Sequence, residues 1–77
     1  MTITVKYFAS LREQLGVDHE QVAADGITTV RDLLGAGCAA SELPDNTLVA
    51  INQQYGSFDS VLESGDEVAF FPPVTGG

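Results

Sequence analysis

The residues best equipped for chemistry stand together at the end of this sequence: Phe70-Phe71-Pro72-Pro73-Val74-Thr75-Gly76-Gly77. The chemistry they imply is that of the Gly77 carboxylate. Glycine has no Cβ and tolerates almost any backbone angle, so Gly76 and Gly77 make the thinnest backbone available, fit for a channel too narrow for side chains. Pro72 and Pro73 bias the approach towards a stiff, extended path. Extended, the six residues from Pro72 to Gly77 would reach roughly 20 Å from the body of the protein. A carboxylate resists nucleophiles until its oxygen becomes a good leaving group. Adenylation by a partner enzyme achieves this, and the activated glycyl carbonyl can then accept an amine, giving a protein conjugate, or a sulfur, giving a thiocarboxylate. Such a terminus needs access rather than side-chain assistance.

Elsewhere the side chains offer little to catalysis. His19 is the single histidine and reads as a turn residue beside Asp18. Cys38, the only cysteine, follows Gly37 with no neighbouring Lys, Arg or His to activate it, and reads as a small filler. One cysteine and one histidine exclude an iron–sulfur cluster, which takes four ligands, and the spacing of a structural zinc site is absent. Asp59, Glu63, Asp66 and Glu67 fall close together near the end of the sequence. They suit either a paired-carboxylate or metal site, or a solvated acidic rim beside the tail; their turn-like neighbours favour the rim. No metal and no intrinsically bound cofactor is expected.

Eleven acidic residues against Lys6, Arg12 and Arg31 leave a net charge of −8. That argues against nucleic acid or an anionic membrane as partner and allows electrostatic steering towards a basic protein. No apolar run approaches a membrane span, and no charged-then-apolar leader opens the sequence. With one cysteine, the expected setting is soluble, reducing and cytoplasmic. At 77 residues one small domain is expected, burying only about 60% of its unfolded surface.

The elements that must hold the tail follow from periodicity. Thr2 to Phe8 alternates, with Ile3, Val5 and Tyr7 on one face and Thr4, Lys6 and Phe8 on the other, which is strand patterning. Ser10-Leu11-Arg12-Glu13 has the form of a capping box opening a short helix that Gly16 ends. Glu20 to Ala24 returns as an antiparallel strand. Asp25-Gly26 makes a turn, and Thr28 or Thr29 caps a second helix with Val30, Leu33 and Leu34 on one stripe. Gly35 to Asn46 reads as a loop, Leu48 to Asn52 as an inner strand, and Ser57 to Leu62 as a connection with buried anchors. Ser64-Gly65-Asp66 turns into a final strand, Glu67 to Phe71, a neighbour of the first. The expected fold is α+β, a roll with a mixed sheet packed on one main helix, residues 1–71 forming the domain and 72–77 an extended, flexible tail. In the last strand Val68 and Phe70 face the helix. Phe71 then lies near the exposed face as an interface anchor, with Tyr55, placed in a polar turn, joining the same surface.

These residues together carry a resemblance. Gly65-Asp66-Glu67-Val68-Ala69-Phe70-Phe71-Pro72-Pro73-Val74-Thr75-Gly76-Gly77 resembles the signature of the small, sulfur-carrying subunits of molybdopterin synthase. Tyr7-Phe8-Ala9, Leu11-Arg12-Glu13, Thr29-Val30-Arg31-Asp32-Leu33 and Val49-Ala50-Ile51-Asn52-Gln53 support the likeness over nearly the whole chain. The resemblance implies a ubiquitin-like β-grasp fold. It implies that a ubiquitin-activating-like adenylyltransferase uses ATP to adenylate Gly77, which is then converted to a thiocarboxylate. The tail, Pro72 to Gly77, would thread into a large synthase subunit and give sulfur to cyclic pyranopterin monophosphate, two carriers serving one dithiolene. Two large and two small subunits would form a heterotetramer, with Phe71, Tyr55 and Phe8 on the docking surface. The carrier itself is then no enzyme, because the large subunit supplies the catalytic lysines and the substrate pocket. Residues 35–47 depart from the family pattern, being short and glycine-rich, so the second helix is expected to end early. Three other readings share some of these features: a sulfur carrier for thiamine thiazole synthesis, a ubiquitin-like modifier joined to lysines, and an interaction domain with a passive tail.

Overall fold

Period-two alternation in the opening residues produces β1 (Thr2–Tyr7), whose inward side chains Ile3, Val5 and Tyr7 are all buried. The computed structural model describes residues 1–44 and 46–73. Beyond β1 come α1 (Ser10–Leu15), β2 (His19–Ala23), α2 (Val30–Leu34), a 3-10 turn at Ala39–Glu42, β3 (Leu48–Ile51), β4 (Gln54–Tyr55) and β5 (Glu67–Phe71). The strands form one sheet in the order β2-β1-β5-β3-β4. β1 and β5 run parallel, with Val5 opposite Val68 and Tyr7 opposite Phe70, while the other pairs are antiparallel. This is the mixed sheet of a ubiquitin-like β-grasp roll, and no helix among the described residues is long and apolar enough to cross a membrane.

One face of the sheet is covered by Leu11 of α1, Val30 and Leu33 of α2, Ala40 of the 3-10 turn and Leu62, all buried against Tyr7, Val68 and Phe70. Tyr7 and Phe70 stack at 5.9 Å, and Phe58 adds a second ring to Phe70 at 6.4 Å. Helix α2 stops after five residues at Gly35, as the glycine-rich sequence after it led us to expect, so the helical layer is shared between two short helices. Part of the segment expected to be loop instead forms the 3-10 turn. Glu20 explains it: its Oε2 accepts both the Tyr7 hydroxyl at 2.6 Å and the Ala39 backbone N–H at 2.9 Å. That bridge ties the turn to the sheet and lets Ala40 be buried. Burial, then the bond to Glu20, pushes the Tyr7 hydroxyl far above its ordinary range.

The capping box expected at Ser10 and Glu13 does not form. Ser10 is the first helical residue, and Ala9 stands at the cap position with φ 53° and ψ −131° and no side-chain cap. The chain must reverse directly after Phe8 for Leu11 to reach the core. It does so at Ala9, with Phe8 O accepting Leu11 N–H at 3.1 Å and Ala9 O accepting Arg12 N–H at 3.2 Å. Reversal one residue early leaves the Ser10 hydroxyl inside the first turn, where it cannot cap. Gly16 does end α1, in the left-handed conformation at φ 77°.

At α2 the expected cap does form, and reciprocally. Thr29 Oγ1 accepts the Asp32 N–H, and Asp32 Oδ2 accepts the N–H groups of Thr28 and Thr29 at 3.0 and 3.1 Å. The Thr28 N–H first, and then that of Thr29, hold the Asp32 carboxyl below its ordinary value. A depressed carboxyl contributes stability above the unfolded-state value of about 3.9, and that contribution is lost as pH falls through the lower folded-state value. We therefore expect acid titration to destabilise the native protein in this window and Asp32→Asn to shrink that acid limb, as measured by urea unfolding at stepped pH.

β3 and β4 are joined by a two-residue hairpin loop, Asn52 and Gln53, both left-handed at φ 51° and 71°. Right-twisted strands favour such a turn, but it suits Asn-Gly far better than Asn-Gln. Asn52 is held by more than the turn. Its side chain donates to Asp66 Oδ1 and accepts the Glu67 N–H, each at 3.0 Å, joining the hairpin to the start of β5. Gln53 has no such role, so Gln53→Gly should relieve backbone strain and stabilise the fold by about 1 kcal/mol, read as a higher urea midpoint at unchanged slope.

Candidate functional site

The face of the sheet away from the helices carries the side chains that alternate with the core. From β1 come Lys6 and, one residue past the strand, Phe8; from β5 come Glu67, Ala69 and Phe71; from β3, Ala50; from β4, Tyr55. The register aligns Lys6, Ala69, Ala50 and Tyr55 in a row across four strands. Two alanines in the middle of that row leave a hollow of about 450 Å³, lined by these residues together with Gln53. Phe8 N–H is bonded to Phe70 O at 3.1 Å, which fixes Phe8 beside the end of β5. Its ring stacks on Phe71 at 4.9 Å and 10°, and Tyr55 leans over Phe71 at 6.3 Å and 54°. Lys6 and Glu67 pair across the floor at 3.4 Å.

The three aromatic residues singled out from sequence are thus brought together. Phe70 is fully buried and Phe71 only partly, as alternation requires, while Phe8 is 40% and Tyr55 79% exposed. Tyr55 lies on β4 rather than in a free turn, because its pairing with Ala50 extends the sheet by one short strand. Lys6, Glu67, Ala50, Ala69 and Gln53 complete the hollow; of these, only Glu67 was singled out from sequence, as part of an acidic rim. The signal available for four of them was the same alternation that separated Phe70 from Phe71, applied to the outward positions of β1, β3 and β5. Pro72 and Pro73 follow β5 directly and are half-buried. The remaining tail candidates, Val74, Thr75, Gly76 and Gly77, lie outside the described residues.

The charged side chains of the hollow, Lys6 and Glu67, are engaged with each other, and its other lining residues are aromatic, alanine or amide, a composition suited to recognition. An apolar, aromatic-walled patch with a small polar complement is what a protein interface presents at its centre. Of the other candidates named from sequence, only Glu67 lines the hollow. His19 Nδ1 bonds the exposed Asp18 at 2.8 Å, and Cys38 Sγ donates to Leu33 O at 3.4 Å inside the helical layer. The acidic residues near β5 have separate partners: Asp59 pairs with Arg31 at 3.1 Å, Glu67 with Lys6, and Asp66 accepts from Asn52 and, at 2.8 Å, from the Glu63 N–H. Among the described residues no group of three potential ligands could hold a metal ion.

Comparison with known proteins agrees with this architecture. The model of the ThiS family matches residues 5–77. The molybdopterin synthase sulfur carrier subunit of Escherichia coli is 49% identical, across 97% of this chain and 99% of its own. The small archaeal modifier protein 1 of Haloferax volcanii is 36% identical over 94% of this chain and 97% of its own. The crystal structure of SAMP1 from the same organism superposes with a TM-score of 0.78 at 34% identity, covering 100% of both chains. Subunits 1 and 2 of the Helicobacter pylori molybdopterin-converting factor have been solved as a protein–protein complex. One chain of it matches this chain at a TM-score of 0.67 and 22% identity, covering 100% of both, a likeness of fold alone. A sheet of this order, an aromatic face at the root of the tail and a family match running through the last residue lead to one assignment: the chain belongs to the ThiS family.

Proposed function

We propose that this protein is the sulfur-carrying subunit of a molybdopterin synthase. The observation that carries the reading is the placement of Phe8, Tyr55 and Phe71 around one hollow beside the residue from which the tail departs. A partner gripping that face would receive the tail at a fixed position and direction. The identity to the Escherichia coli sulfur carrier subunit supports the same reading.

In this scheme residues 72–77 act as an extended arm. A ubiquitin-activating-like adenylyltransferase joins the Gly77 carboxylate to the AMP moiety of ATP, releasing pyrophosphate. A sulfur nucleophile then displaces AMP to leave a thiocarboxylate, with Gly76 keeping the approach narrow. The large subunit docks on the aromatic hollow, as the Helicobacter pylori complex of two subunits suggests by analogy of fold. Pro72, Pro73, Val74 and Thr75 line the route into its active site. There sulfur passes to cyclic pyranopterin monophosphate, and water restores the carboxylate. Two carriers complete one dithiolene in a heterotetramer of two large and two small subunits, in the cytoplasm. The carrier holds no cofactor of its own and is consumed and recharged rather than catalytic.

A second reading, a protein modifier conjugated to lysines, is favoured by the likeness to the Haloferax volcanii modifier. Both readings need an activated tail, and they differ in the product. Purification from the native host through an N-terminal tag, followed by intact-mass analysis, separates them. The expected result is a free protein heavier by the exchange of one oxygen for sulfur, together with a pterin synthase large subunit. A ladder of conjugates would replace our reading with the modifier, and copurified thiazole synthase would move the carrier to thiamine synthesis.

A further inference from the structure

Leu11-Arg12-Glu13 loses its first explanation in the fold, since no capping box forms there. Leu11 is absorbed by the core, but among the described residues no hydrogen bond or ion pair uses the Arg12 side chain. The chain has three cations, Lys6, Arg12 and Arg31, against eleven acids. Lys6 pairs with Glu67 and Arg31 with Asp59. Arg12 makes no ion pair among the described residues and is exposed on the first turns of α1. For a domain so rich in carboxylates, an unused guanidinium is unexpected.

Its position gives the reason. Arg12 lines a shallow depression with Lys6, Tyr7, Phe8, Asp18 and His19. Lys6 and Phe8 also line the aromatic hollow, so the two recesses meet along these residues. The reversal at Ala9, closed by Arg12 N–H to Ala9 O, brings Arg12 and Phe8 to the walls of the same depression. Asp18, the one carboxylate of the depression, is engaged by His19 at 2.8 Å. The guanidinium is left at the rim of an apolar patch, where a docked partner would shield it from water. A guanidinium is a planar fork matched to a carboxylate.

We infer that Arg12 is the polar anchor of the docking face and takes an Asp or Glu side chain of the protein that covers Phe8, Tyr55 and Phe71. The inference rests on the docking reading proposed above. Charge complementarity selects this occupant. A partner suited to a surface of net charge −8 is basic overall, and an acidic side chain on it is repelled everywhere except where a free cation waits. One such contact therefore sets the orientation of the complex, which is where interface charges contribute most.

The test is titration of the full chain against the pterin synthase large subunit, with thermal melts of each variant as a folding control. Arg12→Glu should weaken binding at least about tenfold and Arg12→Gln by an intermediate factor. Arg31→Glu, which changes the net charge equally but lies outside both recesses, should stay within about twofold. Equal losses for Arg12→Glu and Arg31→Glu would mean general repulsion and overturn the anchor. An unchanged affinity for Arg12→Glu and Arg12→Gln, with Phe71→Asp abolishing binding, would overturn the anchor alone. Binding that survives both Arg12→Glu and Phe71→Asp would remove the docking reading and the anchor with it. Should Arg12→Glu fail to fold, Arg12→Gln against Arg31→Gln gives the same decision.

Discussion

Deletion of Gly77 is expected to abolish sulfur transfer while leaving the fold and the docking of the carrier intact. The shortened chain still ends in a glycine carboxylate, Gly76, so the functional group survives and only its reach changes. One extended residue is about 3.5 Å, and a misplacement of even 1 Å at a reacting centre costs about a hundredfold. A carboxylate set back by a whole residue is therefore expected to transfer no detectable sulfur in a single-turnover assay with the large subunit. β5 ends at Phe71, and every strand pair of the sheet lies before it. Thermal stability and affinity for the large subunit should accordingly match the parent. Transfer at an ordinary rate would sink the carrier mechanism; loss of fold would show that the tail is structural.

Phe71→Asp should separate the same two properties from the other side. Phe71 is half-buried on the outer face, where it touches Phe8 and Tyr55 and not the core. In the free protein the substitution forfeits one aromatic stack, about 1 kcal/mol, against the 3–5 kcal/mol expected of truncating the fully buried Phe70. In the complex the new carboxylate must be desolvated at the centre of an apolar interface, which costs 2 kcal/mol or more at such positions. We expect affinity for the large subunit to fall by a factor of about 30 or more, with a cooperative melt retained. Unfolding of this variant would place Phe71 in the core and overturn the assignment of faces.

Much of this architecture could be read from residue types because local and tertiary preferences coincide. β1 and β5 alternate cleanly, and that alternation alone separated Phe70 from Phe71. Thr29 and Asp32 form a cap that depends on nothing outside their own turn. The failures have a common cause, which is that a distant contact outweighs a local preference. Ser10 has the chemistry of a cap, but the demand of Leu11 for the core moves the reversal to Ala9. Residues 39–42 stand between Gly35, Gly37 and Pro44, which make the stretch read as loop, yet the Glu20 carboxylate, remote in sequence, draws the Ala39 N–H into a bridge. β4 is two residues long, too short for any periodicity, and exists because the left-handed Asn52-Gln53 turn lays Tyr55 beside Ala50. The hollow was half legible: its aromatic walls announce themselves, whereas Ala50 and Ala69 matter only for the space they leave.

The sheet order also bears on how such a carrier is made. β5, the last strand among the described residues, is the middle one of the five, and its neighbours β1 and β3 do not pair with each other. A nascent chain that has not yet released Glu67 to Phe71 from the ribosome can form only two separate ribbons, β2 with β1 and β3 with β4, each too small to be stable alone. Pairing β1 with β5 then joins segments from opposite ends of the sequence, a contact order that slows folding. A chain terminated before Glu67 lacks the central strand and, on the docking reading proposed above, is expected to display no docking face.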